Sequence, residues 1–180
     1  MNKDKLIKNI ADQIKEAQVK LGYAKETVRL YYTVPSLNAL LGTELADADS
    51  MQEVLKEQFA AADEHLGQLS FRIHQGRIEV SVPPEGVAYV HEHVEATPFL
   101  VDLIDFFQQH HHCRIKDICS VFERHSSEYV CEKMAQGMDF DYVLYFRDRS
   151  IDAYYYCIKA EMGHTIYHRF TREDYMALIR

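Results

Sequence analysis

The chain has 180 residues, 47% of them hydrophobic and 27% charged, with a formal net charge of −8. A length and composition of this kind suit one globular domain and exclude extensive disorder, collagen-like repeats and a disulfide-dependent scaffold. The negative balance excludes a general nucleic-acid binder, which needs a basic footprint, and no apolar run is long enough for a membrane helix.

In chain order, residues 3–21 are predicted as an amphipathic helix: Leu6, Ile10, Ile14, Ala17 and Leu21 recur at helical spacing, and Gly22 supplies a stop. From Glu26 to about Gly42 the pattern reads as a broken helical stretch, with Val34-Pro35 at the break. Ser50-x-x-Glu53 reads as a capping box that opens a stronger helix, closed by Gly67. The part 3–66 is therefore expected to be helical. Between Glu44 and Glu64 it carries seven acids against Lys56 alone. That run is a solvated helix face or, through Glu53 and Glu57, a surface for a basic partner.

The clearest element is a β-hairpin over 69–82. A two-residue turn at Gln75-Gly76 pairs Phe71 with Val80 and Ile73 with Ile78 on an apolar face, and Arg72 with Glu79 and Ser70 with Ser81 on a polar one. Helices are expected through 84–125. One carries the stripe Val87, Val90, His91 and Val94; one opens at Thr97-Pro98; and one runs from about Arg114 to Arg124.

Residues 128–170 read as an antiparallel meander of strands 128–134, 139–147, 151–162 and 164–170, although 128–134 also suits an extension of the preceding helix. Thr171-x-x-Asp174 then caps a terminal helix, 171–179. The fold class is thus α+β, an antiparallel sheet packed with several helices in a single domain, 1–180. A two-residue turn at Asp148-Arg149 places Phe140, Tyr142, Leu144 and Phe146 on one face with Ile151, Ala153, Tyr155 and Cys157. Carried through Met162-Gly163, the same alternation adds Lys159, Glu161, His164 and His168 to that face. A Glu and two His converging with a Lys at a pocket wall suit acid–base work or ligand binding; the alternative is a sheet end in water.

Other chemistry-bearing residues are weaker signals. His110-His111-His112 and His91-x-His93 offer imidazoles for a metal, but consecutive side chains diverge and no His-Glu-x-x-His spacing is present. No cofactor is implied, since glycine loops for phosphates or dinucleotides are missing, as is a Gly-x-Ser-x-Gly elbow. Cys113, Cys119, Cys131 and Cys157 form no Cys-x-x-Cys pair and sit beside apolar neighbours, which places the chain in the cytoplasm as reduced protein. Tyr145, Tyr154, Tyr156 and Tyr167 form either a binding platform on the sheet or the floor beneath a covering helix.

The stretches Ser36-Leu-Asn-Ala-Leu-Leu-Gly42, Glu85-Gly-Val-Ala-Tyr-Val-His91, Phe140-Asp-Tyr-Val-Leu-Tyr-Phe146 and Tyr167-His-Arg-Phe-Thr-Arg-Glu-Asp-Tyr175 resemble a bacterial family of about this length known only as a domain of unknown function. The resemblance covers most of the chain and implies no activity. The residues therefore favour a non-enzymatic acidic interaction protein (an adaptor, inhibitor or immunity-type partner) whose expected partner is another protein, of basic character, with no nucleic acid and no membrane. A small-molecule binder or acid–base enzyme built on 159–168 ranks second, and a metal-dependent enzyme third.

Overall fold

The computed structural model describes residues 2–179. Helix α1, Lys3–Leu21, starts where Asn2 accepts the Lys5 amide and stops at Gly22 in the left-handed region. Strand β1, Val28–Tyr32, and helix α2, Val34–Leu41, replace the broken helix expected over 26–42. Pro35 sits in the first turn of α2 behind the Thr33 cap, where its missing N–H costs nothing, so it opens a helix instead of breaking one.

Helix α3, Ala48–Gln58, is capped by Asp47, whose carboxylate accepts the Ser50 amide; it starts earlier than the Ser50 capping box implied and ends well before Gly67. Strands β2, Ser70–His74, and β3, Arg77–Val82, form the expected hairpin in the expected register. Its turn has positive φ at both Gln75 and Gly76, as the right-handed strand twist prefers. Helix α4, Pro84–His93, follows. Gly86 lies in it because a Cβ there would come within 2.2 Å of the Leu66 carbonyl oxygen.

In the second half, α5, Pro98–Gln109, is capped by Thr97, and α6 spans Ile115–His125. Strands β4, Tyr129–Lys133, β5, Tyr142–Phe146, β6, Tyr155–Glu161, and β7, His164–Phe170, make the meander, and α7, Arg172–Leu178, closes it. Residues 129–133 are strand, not an extension of α6. The architecture is α+β, with two antiparallel sheets ordered β1-β3-β2 and β4-β5-β6-β7. The chain read as one domain contains two compact units, Met1–Ala96 and Thr97–Arg180. Among the described residues no helix is long and apolar enough to cross a membrane.

The first unit packs Leu6, Ile10 and Ile14 of α1, Leu37, Leu40 and Leu41 of α2, and Met51 and Leu55 of α3 with Val28, Phe71, Ile78, Val80 and Val82 of its sheet. The buried Tyr32 hydroxyl donates to Asn9 at 2.8 Å and accepts from Gln13 at 2.9 Å. Only one sheet face enters this core.

The second sheet is covered on both faces. Phe99 of α5 and Phe122 of α6 pack edge-on against Tyr156 and at 4.7 and 4.9 Å from Phe146. On the reverse face Tyr175 of α7 stacks on Tyr155 at 4.7 Å over Val143 and Cys157. The β5–β6 register corrects the sequence reading: Leu144 pairs with Tyr156, three residues beyond the expected Ala153. The connection is not a two-residue turn but the stretch 147–154. Asp148 accepts from the Ser150 amide and hydroxyl, and Asp152 accepts the Tyr154 amide. An odd shift exchanges faces, so Leu144 and Phe146 share theirs with Tyr156, and Val143 and Tyr145 with Tyr155 and Cys157.

Candidate functional site

The open face of the β1-β3-β2 sheet carries polar side chains from all three strands. Strand alternation and register set Arg72, Glu79 and Tyr31 in one row, Ser70, Ser81 and Arg29 in the next, and His74 beside Arg77 toward the turn. Glu79 is the centre. Its Oε1 accepts from Arg72 Nη2 at 2.6 Å and Nε at 3.2 Å and from the Ser81 hydroxyl at 3.3 Å, and Oε2 accepts from the Tyr31 hydroxyl at 3.2 Å. Arg29 stands 3.9 Å away on the other flank.

Glu79 is 4% exposed because these side chains lie across it, not because it is deep in the fold. The hydrogen-bonded Arg72 guanidinium, more than the cost of shielding, sets its acidity, and the carboxyl is held below its usual range. The same pair raises the affinity of Arg72 for its proton. Glu79 thereby acts as an anchor, orienting Arg72 and Tyr31 across the face.

Three arginines against one glutamate leave this face at about +2 within a chain of −8. Beside it Tyr31, His74, Gln75 and Arg77 line an open cleft of about 450 Å³. The Tyr31 and His74 rings lie 5.6 Å apart, and Arg77, exposed, has no ion pair or hydrogen bond among the described residues. Planar guanidinium donors beside a phenol and an imidazole suit a carboxylate or phosphate group. Arg29 and Tyr31 were invisible as site residues while β1 was read as helix. The only sequence signal was Arg72 opposite Glu79.

The sequence-predicted residues fall elsewhere. Lys159, Glu161, His164 and His168 do share one face, through the expected Met162-Gly163 turn. They stand beyond the end that α7 covers: Glu161, His164 and His168 are exposed, Lys159 pairs with Glu161 at 3.6 Å, and His168 packs 5.2 Å from Phe140. Three of the four side chains thus face water at the end of the sheet. Cys157 lies opposite His168 as expected, but it is fully buried and burial pushes its thiol up to about 12, so it is packing.

His111 and His112 meet His164 at ring separations of 5.9 and 5.4 Å, where Thr165 bonds the 111–113 loop to the edge of β7. The His112 and His164 rings are stacked, so their nitrogens do not converge. His110 turns away onto Phe106, and exposed His91 is separate from His93, which stacks on Tyr89 in line with His65. Among the described residues no group of three or more His, Cys, Asp or Glu side chains is placed to hold a metal ion.

Tyr156 is fully buried beneath Phe99 and Phe122 and presents no surface, because the register shift turns it toward α5 and α6. Tyr154 is half-buried with the Arg169 guanidinium 3.7 Å over its ring, and Tyr145 lies on the opposite face. Glu53 and Glu57 are exposed on α3, in column with exposed Asp49.

Residues 3–179 match a family model described as a domain of unknown function, E. rectale gene description (DUF3877). The chain belongs to this family. The DUF3877 match spans both compact units, so the sheet with the open face and the sheet covered on both sides belong to one family unit of sequence. No curated protein and no solved structure matches the chain. The DUF3877 description names no activity, and the roles of its residues rest on the geometry above.

Proposed function

We propose that this DUF3877 protein is a cytoplasmic binding protein that recognises an anionic group of its partner, a carboxylate or phosphate, on the open face of the β1-β3-β2 sheet. The observation that carries the reading is the arginine row around Glu79: an acidic chain gathers Arg29, Arg72 and Arg77 on one ordered face. Glu79 is held ionised by Arg72, which suits an anchor and not a proton shuttle at neutral pH. Four free thiols accord with the cytoplasm.

The test is titration of the full chain with an oligoglutamate peptide and with inorganic phosphate, followed by NMR of the arginine Nε–H and His74 ring signals. Binding is expected to weaken with salt and to vanish in an Arg29→Glu/Arg77→Glu variant. Unchanged signals at low salt with both probes remove the reading.

A second reading has its own observation. Asp49, Glu53 and Glu57 recur every four residues on the exposed side of α3, a column of like charges that costs the helix stability and has no ion pair among the described residues. It suits a basic partner protein. Glu53→Lys/Glu57→Lys is expected to reduce partner recovery in pull-downs at low salt; equal recovery by the two forms ends it.

A further inference from the structure

An edge strand offers backbone N–H and C=O groups to any chain that can pair with them. In the first sheet the Gln75-Gly76 turn fixes which groups those are. Residues flanking a two-residue hairpin turn exchange both hydrogen bonds, so His74 with Arg77, Arg72 with Glu79 and Ser70 with Ser81 are the bonded pairs. Ile78, Val80 and Val82 therefore bond the other way, to Tyr32, Leu30 and Val28. Arg29 and Tyr31 are left with N–H and C=O directed away from the sheet. The same alternation turns the Phe71 carbonyl outward on β2, and there Gln52 Nε2 donates to it at 2.9 Å.

The edges differ in how they are closed. Beyond Gln52, Gln68 Nε2 donates to the Leu69 carbonyl just ahead of β2, and on β7 the Thr165 amide donates to the His111 carbonyl at 2.8 Å. Strand β4 sets Glu132 beside Lys133, opposed charges that name no partner. Strand β1 has neither device. Among the described residues the outward backbone groups of Arg29 and Tyr31 have no hydrogen-bond partner. The strand contains no proline, and its register with β3 is unbroken by a bulge.

We propose that β1 is a docking edge, to which an extended acidic segment of a partner protein adds as a fourth strand antiparallel to Val28–Tyr32. This rests on the reading that the open face takes an anion, and it names the carrier: a carboxylate side chain on a β-strand. The partner residues opposite Arg29 and Tyr31 exchange both hydrogen bonds with them. Directly opposed residues share a face, so those two side chains lie on the arginine-rich open face, one of them beside Arg29. The residue between them falls opposite Leu30, which packs against the core yet is only half-buried. The pattern recognised is therefore acid, apolar, acid. A second copy of β1 fits less well, because it sets two faces of about +2 edge to edge.

The probe is the peptide acetyl-Ser-Val-Glu-Val-Glu-Val-Ser-amide, titrated at low salt into the full isotopically labelled chain and followed by NMR. Amide hydrogen exchange at Arg29 and Tyr31 is expected to slow about tenfold at saturation, as the edge groups become paired. The same peptide with both glutamate nitrogens methylated keeps its charge but has no donors for this edge. It should bind about thirtyfold more weakly, the effect of two lost hydrogen bonds. A version with lysine in place of glutamate should give no protection. Arginine Nε–H shifts with both glutamate peptides at equal affinity, without protection at Arg29 or Tyr31, overturn the added strand and leave the anion-binding face standing. Equal protection by the lysine peptide overturns the acidic partner. Oligoglutamate that binds where this peptide does not also removes the strand alone, whereas failure of every probe, inorganic phosphate included, removes the anion-binding face with it.

Discussion

Glu79 and Asp152 are equally shielded, each 4% exposed, yet their carboxyls are pulled in opposite directions. Glu79 lies on a sheet face open to water, screened only by the side chains that donate to it, and the Arg72 hydrogen bonds make it a stronger acid. Asp152 lies inside the β5–β6 connection. It accepts the Tyr154 amide at 2.9 Å and the Thr97 hydroxyl at 3.4 Å, and burial outweighs the charge of Arg169 and these neutral donors, making it a weaker acid. Low exposure is thus not one condition. A sheet with one open face lets arginines solvate a carboxylate, whereas a sheet covered on both sides leaves its carboxylate paying for desolvation.

The largest expected effect separates the two sheets by packing. Phe99→Ala removes the ring at the centre of Phe122, Phe146 and Tyr156, and should cost about 3–5 kcal/mol in denaturant unfolding. Arg77→Ala on the open face should stay within about 0.5 kcal/mol. Similar losses from the two would mean that the open face is not open.

Next come the acids themselves. The folded state binds the Asp152 proton more tightly than the unfolded chain does, so Asp152 lowers stability as pH rises above 3.8 through its raised value. Asp152→Asn keeps the acceptor but not the charge. The stability of wild type minus that of Asp152→Asn should therefore fall with pH across that window. Asp152→Ala, which strands the donors, should cost about 1–3 kcal/mol. Glu79 has the opposite sign: its contribution is complete above 4.5 and is lost as pH falls through its depressed value. Wild type minus Glu79→Gln should accordingly rise with pH and then level. Two curves of the same sign would break the comparison.

The difference also explains what the sequence could show. Where a short turn joins neighbouring strands, as at Gln75-Gly76 and Met162-Gly163, alternation alone placed every side chain on its face. The caps Thr97 and Thr171 were equally legible, because an N-cap is a local bond. Strand β1 was not legible, since its partner β3 lies some fifty residues on and Val28–Tyr32 buries only its ends and half-buries Leu30. The unit boundary falls after Ala96 with no glycine- or serine-rich linker to mark it. The β5–β6 register failed because Asp148 and Asp152 each turn the chain onto their own side chains, and the shift that moved Tyr156 under α5 and α6 is the same event that buried Asp152. The site on the first sheet was half visible as Arg72 opposite Glu79, and it lacked the strand that brings Arg29 and Tyr31.

Exposed carboxylates set the zero of the comparison. Asp49, Glu53 and Glu57 stand in water on α3, and only their mutual repulsion along the helix bears on stability. Glu53→Lys converts two repulsive spacings into two attractive ones, Asp49 with Lys at i,i+4 and Lys with Glu57 at i,i+4. Each pair is worth about 0.2–0.5 kcal/mol, the Asp49 pair more because its acid lies toward the helix N-terminus. The variant should therefore unfold at slightly higher temperature than wild type, and the gain should shrink in salt. A loss of stability would mean that Glu53 is shielded in a way its exposure does not show, and that the acidic column, like Glu79, is held by donors instead of by water.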